Sequence, residues 1–238
     1  MDNQNIVIRV ATPDDVQYTT AIINEIEESA KARGTGIAKR SAEYVSGKML
    51  EGKAVIAVTT ENQWVGFCYI ETWSHGEYVA NSGLIVSPAF RKSGVAKAIK
   101  KKIFNLSREK YPEAKIFGLT TGLAVMKINS ELGYEPVTYS ELTQDEAFWA
   151  GCKSCVNYDI LMSKERKICM CTAMLYDPRD HYKPEETTEF FEENKSGFER
   201  LLRFKQWNLL RPFMKKDKEP NGNGNGGSKT FIQSLFNL

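Results

Sequence analysis

The chain has 238 residues, 42% of them hydrophobic and 26% charged, with 32 basic against 30 acidic groups and a net charge of +2. That balance excludes disordered and fibrous classes, and residues 1–178, at 21 basic against 21 acidic groups, lack the basic face that nucleic-acid binding by counterion release needs. No apolar run approaches the roughly 18 residues of a membrane span, and the polar start MDNQNIVIRV has no signal-peptide core, so a cytoplasmic protein is expected.

In chain order, IVIRVA (6–11) alternates as a strand does. Thr12-Pro13-Asp14-Asp15 then opens a helix, with a capping hydroxyl, proline at the first helical position and carboxylates at the positive end. Val16, Ile22, Ile23, Ile26 and Ala30 keep helical spacing until Gly34 and Gly36. Ser41 begins a shorter helix through Met49. AVIAVTT (54–60) and WVGFCYIETW (64–73) read as a hairpin, and YVANSGLIV (78–86) as a third strand after the His75-Gly76 turn. Val95, Ile99, Ile103 and Leu106 share one face of the next helix, with lysines on the others. KIFGLTT (115–121) is a short strand, LAVMKINSEL a helix that Gly133 stops, and PVTYSEL and KICMCTAML the last strands. The order β-α-α-β-β-β-α-β-α-β-β predicts a mixed α/β domain over 1–178.

Beyond it, 179–220 predicts an amphipathic helical appendage. Its 198–220 stretch holds seven basic and three acidic groups along the stripe Phe198, Leu201, Leu202, Leu209, Leu210 and Phe213. Such a stripe packs on its own domain or on a second subunit in a homodimer, or binds an anionic surface or acidic partner. Residues 221–238 read as a Gly/Asn linker ending in FIQSLFNL, a peptide that is disordered or tethers a partner protein.

Arg91-Lys92-Ser93-Gly94-Val95-Ala96 joins a strand end to a helix start. The free N–H groups of a first helical turn and the helix dipole favour an anion there. Gly94 lets a ligand approach the backbone, and Arg91 and Lys92 add charge suited to a pyrophosphate. The competing reading is a tight turn with solvated basic residues.

R-x-x-G-x-A between an apolar strand and a long helix, followed by a strand and a helix ending ELGY, resembles the acetyl-CoA core of the GCN5-related N-acetyltransferase family. The resemblance spans roughly residues 6–175. It implies an N-acyltransferase in which two parallel strands splay and acetyl-CoA or another acyl-CoA enters the gap. Gly83, Leu84, Ile85 and Val86 would then face the pantetheine arm, and the amides of Arg91, Lys92, Ser93, Gly94, Val95 and Ala96 the pyrophosphate. Ala38-Lys39-Arg40-Ser41-Ala42-Glu43-Tyr44, Trp149-x-x-Cys152-x-x-Cys155 and Cys171-x-Ala173-Met174 are similar to the short bacterial N-acetylglutamate synthases of arginine biosynthesis. That likeness implies glutamate as the acceptor amine and Arg40 as a bidentate clamp on its carboxylate. A protein lysine or another small amine stays open as acceptor.

Two of the family's catalytic groups are missing. Its strand glutamate is replaced by the run Val79-Ala80-Asn81-Ser82, and its helix tyrosine by Asn129. That leaves Asn129, Glu71 and His75 as candidate catalytic positions, and Asn81 and Ser82 as hydrogen-bonding positions for substrate or water. Alternation puts Phe67, Tyr69 and Glu71 on one side of their strand and Cys68 and Ile70 on the other. The same losses leave open a regulatory CoA-binding module without turnover. Cys152-x2-Cys155 and Cys169-x-Cys171 have the ligand number of a structural zinc site, against the alternative of ordinary buried thiols.

Overall fold

The computed structural model describes residues 5–34 and 40–181. Ala38 and Lys39, the expected appendage beyond 181 and the terminal peptide lie outside the described residues. Seven strands form one mixed sheet: β1 (Ile6–Val10), β2 (Ala54–Thr59), β3 (Trp64–Trp73), β4 (Tyr78–Val86), β5 (Lys115–Thr120), β6 (Glu135–Val137) and β7 (Thr172–Tyr176). Their order across the sheet is β1-β2-β3-β4-β5-β7-β6. The helices are α1 (Thr19–Arg33), α2 (Ala42–Leu50), α3 (Val95–Lys110), α4 (Leu123–Glu131), α5 (Glu146–Ala150) and α6 (Tyr158–Ser163). The expected order holds through β6, and α5 and α6 enter between the last two strands.

Local chemistry sets the ends. Thr12 and Asp15 make the capping box that the Thr-Pro-Asp-Asp run predicts, but it opens a 3₁₀ segment over 13–18 that runs into α1. The Ser41 side chain accepts from the Tyr44 N–H and starts α2. Both faces of β2 are covered, so all six of its residues are buried. On one face, Val55, Cys68 and Ile70 pack against Val95, Ile99, Ile103 and Leu106 of α3. On the other, Ile56, Phe67 and Tyr69 pack against Ile22 and Ile26 of α1 and Val45 and Met49 of α2. Each such side chain fully buried contributes about 1.5–3 kcal/mol. Among the described residues no helix is long and apolar enough to cross a membrane.

Two irregularities shape the sheet. β4 and β5 pair in parallel only at Tyr78–Lys115, Val79–Ile116 and Ala80–Phe117, and no β4–β5 pair follows. Beyond Ala80 and Phe117 the two strands form a fork. Along β3 and β4 the register runs from Phe67–Ile85 to Tyr69–Ser82, so Gly83 and Leu84 stand against Cys68 alone. This is a β-bulge, which leaves backbone groups out of the ladder. Gly83 is required there twice over: its φ is +65°, and a Cβ would stand 2.3 Å from Cε1 of Tyr69.

Candidate active site

Four side chains meet on the α1–α2 face beside the fork. Glu71 lies opposite Ala80, at the level where β4–β5 pairing ends. The Arg40 Nη2 donates to Glu71 Oε1 at 3.0 Å, and its Nε donates to the Tyr69 hydroxyl at 3.2 Å. Tyr44, one turn into α2, donates a short hydrogen bond to the same Glu71 oxygen. Glu71 is 4% exposed. Burying polar oxygens at this depth costs free energy unless they are hydrogen-bonded, and these partners meet that need. Burial alone would lower the Arg40 pKa, but Tyr69 and Glu71 outweigh it and raise it. Burial, and then the hydrogen bond to Glu71, push the Tyr44 phenol well up, so it remains a donor. The guanidinium also reaches α5's end, where both Nη atoms lie 3.9 Å from the place of a Cβ on Gly151.

Alternation along β3 thus puts Glu71 with Tyr69 as expected, and the side they share is the one facing Arg40. His75 is not with them. It is exposed in the turn between β3 and β4, beyond the Trp73–Tyr78 pair and away from the fork. Asn81 faces the other way: paired with Ile70, it is buried against α3, where Nδ2 donates to Ser107 Oγ at 2.8 Å. It therefore offers nothing to a substrate beside Glu71. Ser82 opposes Tyr69 at the start of the bulge, and its carbonyl accepts from the Cys68 thiol at 3.3 Å. Asn129 is 1% exposed on α4, with its Nδ2 3.7 Å from Met174 Sδ and its Oδ1 without a partner.

The loop before α3 keeps its backbone available. Gly94 takes φ +87°, and nothing lies within 4 Å of the place of its Cβ. The helix that follows presents its first N–H groups at this point. The Arg91 side chain does a different task from the one its charge suggests. It donates to Val86 O at 3.1 Å, to Glu25 at 2.5 Å and to Ser29 at 2.8 Å, bracing the loop to β4 and α1. An anion at this loop would accordingly meet main-chain groups and Lys92, which is exposed with φ +65°.

The cysteine expectation is not supported. Cys169 and Cys171 precede β7 instead of alternating within it, and all of the chain's cysteines are free thiols. Cys152 and Cys155 bound a tight turn closed by the Cys155 N–H on Cys152 O at 2.9 Å. Burial, then the neighbouring thiols, push Cys171 up to about 12. Among the described residues no group of three or more His, Cys, Asp or Glu side chains is arranged to hold a metal ion.

A mixed sheet that forks beside a bulge, with a glycine loop leading into the next helix, defines the acyl-CoA N-acyltransferase class of fold. No family model matches the chain. Over 149 residues, 61% of this chain and 90% of the relative, it is 26% identical to the thialysine N-epsilon-acetyltransferase of Caenorhabditis elegans. Among solved structures it is similar to N-acetylglutamate synthase from Neisseria gonorrhoeae complexed with coenzyme A and N-acetyl-glutamate. That match has a TM-score of 0.51 at 19% identity and covers 72% of this chain, but only 35% of the synthase's length. It is also similar to a GNAT superfamily phosphinothricin acetyltransferase from Sinorhizobium meliloti in complex with acetyl-CoA, with a TM-score of 0.50 at 14% identity, over 77% of this chain and 95% of that one. At these identities the two structures show the fold. The sequence relative, an acetyltransferase, is matched over 90% of its own length.

Proposed function

We propose that the chain transfers an acyl group from acyl-CoA to the amine of a small amino acid, with glutamate the favoured acceptor. The observation that carries this is the fork between β4 and β5, with the open Gly94 loop following β4 and the Arg40–Glu71 pair at the level where the strands part. The residues fit a CoA arm. The loop amides and the α3 N-terminus suit its pyrophosphate, and Leu84, Ile85 and Val86 would run beside its amides. When bound, acyl-CoA supplies the thioester carbonyl that the amine attacks.

The chain's own residues would then act as follows. Arg40 orients the amino acid by its carboxylate, so that the amine lies toward Glu71. Glu71, held by Arg40 and Tyr44, takes the ammonium proton directly or through one water. The main chain freed by the bulge at Gly83 and Leu84 donates to the carbonyl oxygen as charge develops on it. Attack is direct, within a ternary complex. Support for glutamate, and for a place in arginine biosynthesis, comes from the shared fold of the Neisseria gonorrhoeae synthase and from the segment around Arg40. The Caenorhabditis elegans relative keeps another small amine in view.

The test is release of the CoA thiol from acetyl-CoA in the presence of glutamate, other amino acids, thialysine and a lysine peptide. Turnover favouring glutamate supports the full reading. Turnover on another amine retains the acyltransferase and moves the acceptor. CoA binding without release on any amine makes the chain a regulatory module instead.

A further inference from the structure

The opposite face of the sheet carries a charge for which the steps above have no use. Lys100, in the second turn of α3, is 2% exposed. Its ammonium donates to Asn81 Oδ1 at 3.3 Å and stands 5.0 Å over the Tyr134 ring. No carboxylate faces it among the described residues; its one electrostatic neighbour is the Cys68 thiol. The amide that holds it is fixed from both sides, since Tyr134 also donates to Asn81 Oδ1, at 3.0 Å, and Nδ2 is bound to Ser107. Protein interiors almost never keep a lysine without a counter-charge. An apolar residue of this size would pack here at less cost.

Position supplies the reason. Asn81 is the first residue of β4 past the last β4–β5 pair, so Lys100 sits under the fork. A second polar group there is also unsatisfied. Gly118 is the first residue of β5 past the same pair, and the place of its Cβ lies 3.8 Å from the Asn129 amide nitrogen. The Oδ1 of that amide is buried without a partner. A cation without an anion and an acceptor without a donor therefore flank the two strands where they part.

We propose that Lys100 stabilises and then protonates the sulfur that leaves the acyl group. The inference rests on the acyl-CoA reading above. As the C–N bond forms, the C–S bond breaks and its electron pair stays on sulfur. The Lys100 proton passes to that sulfur to give the thiol, and the neutral amine is reprotonated from solvent, while Glu71 carries the acceptor's proton away. The groups facing Lys100 are Cys68 of β3, held up at about 11 by burial, Asn81 of β4, Ser107 of its own helix and Tyr134 between α4 and β6. None of them ionises near neutrality. Burial pushes Lys100 itself down to about 8, so the rate should fall as pH rises through that value.

The experiment is calorimetry of CoA and desulfo-CoA, which lacks only the thiol, on the full chain and on Lys100→Met and Lys100→Gln at pH 7, where the ammonium is charged. The Gln variant keeps a donor to Asn81 without the charge. The expected result is that wild type binds CoA about tenfold or more tightly than desulfo-CoA, the strength of a charge-assisted hydrogen bond. Both variants should bind the two ligands alike and lose the alkaline fall in kcat. An equal preference for CoA in all three proteins would overturn the proposal. If wild type binds neither ligand, the acyl-CoA reading falls and this inference falls with it.

Discussion

Replacing Lys100 by methionine should make the protein more stable, and by an amount that depends on pH. The folded pKa is about 8, with burial as its main cause. An unfolded lysine titrates near 10.4, so the gap corresponds to about 3 kcal/mol at roughly 1.36 kcal/mol per unit. The sign follows from proton counting. Between about 8 and 10.4 the unfolded chain holds a proton that the folded chain has shed, so stability rises with pH across that window. Below 8 both states are charged and the whole desolvation penalty stands. Methionine removes the charge at similar volume and gives up one hydrogen bond to Asn81, worth about 1 kcal/mol. The Asn81 oxygen keeps its bond from Tyr134. The net gain is about 2 kcal/mol at pH 7, or roughly 4–8 °C in Tm for a domain of this size. Denaturant melts of both proteins from pH 7 to 10.5 measure it, and the gap between them should close at about pH 9.5–10 and then reverse by less than about 1 kcal/mol, when the lost hydrogen bond outweighs what remains of the desolvation penalty. A gap that stays constant with pH, or a variant less stable at pH 7, would refute the reasoning.

Three further outcomes follow from the site. Gly83→Ala places a Cβ 2.3 Å from the Tyr69 ring at φ +65°. It should cost about 2–5 kcal/mol from left-handed strain and overpacking, read as a lowered Tm. It should also weaken acceptor binding, because Tyr69 holds the Arg40 Nε. Gly94→Glu meets open space, so the fold should survive with about 1–2 kcal/mol of strain. The new carboxylate among the loop amides should weaken CoA binding about a hundredfold or more by calorimetry, and wild-type affinity would remove the loop from the site. Arg40→Lys loses the bidentate geometry. It should raise the amino-acid KM by about ten- to a hundredfold while leaving the acyl-CoA KM near its starting value, and unchanged constants would make Arg40 a structural residue.

The sheet was legible because its strands are half or fully buried and bounded by turn residues. Alternation along β3 sorted Tyr69 and Glu71 from Cys68 and Ile70 correctly, since that pattern is local. The final strand was not legible in full. KICMCTAML looks uniformly strand-like, yet β7 begins only at Thr172, the partner of Thr120 at the end of β5. With no edge left to pair, Ile168 and Met170 are 61% and 64% exposed. Helices α5 and α6 are too short for a period to declare itself, though Asp145, which caps α5 through the Ala147 N–H, was a usable signal. Lys100 was hidden by its neighbours. It falls among the helix's solvent-facing lysines in sequence, and the groups that bury it, Asn81 and Tyr134, come from other elements. The Arg91 side chain's ties were hidden for a similar reason, because its partners Glu25 and Ser29 lie on α1.

The sheet consists of two leaves that share a narrow joint. Strands β1 to β4 form one leaf and β5, β7 and β6 the other, and only three residue pairs join them. Within the second leaf β5 is zipped to β7 by five pairs, from Ile116–Tyr176 to Thr120–Thr172. A molecule pushed into the fork therefore acts as a wedge against the joint and leaves each leaf intact. Glu71, opposite Ala80, and Asn81, just past it, stand at the pivot, where a change of angle displaces atoms least. The residues proposed above for the chemistry thus sit at the axle, and the strand ends proposed to receive the acyl-CoA arm lie at the rim.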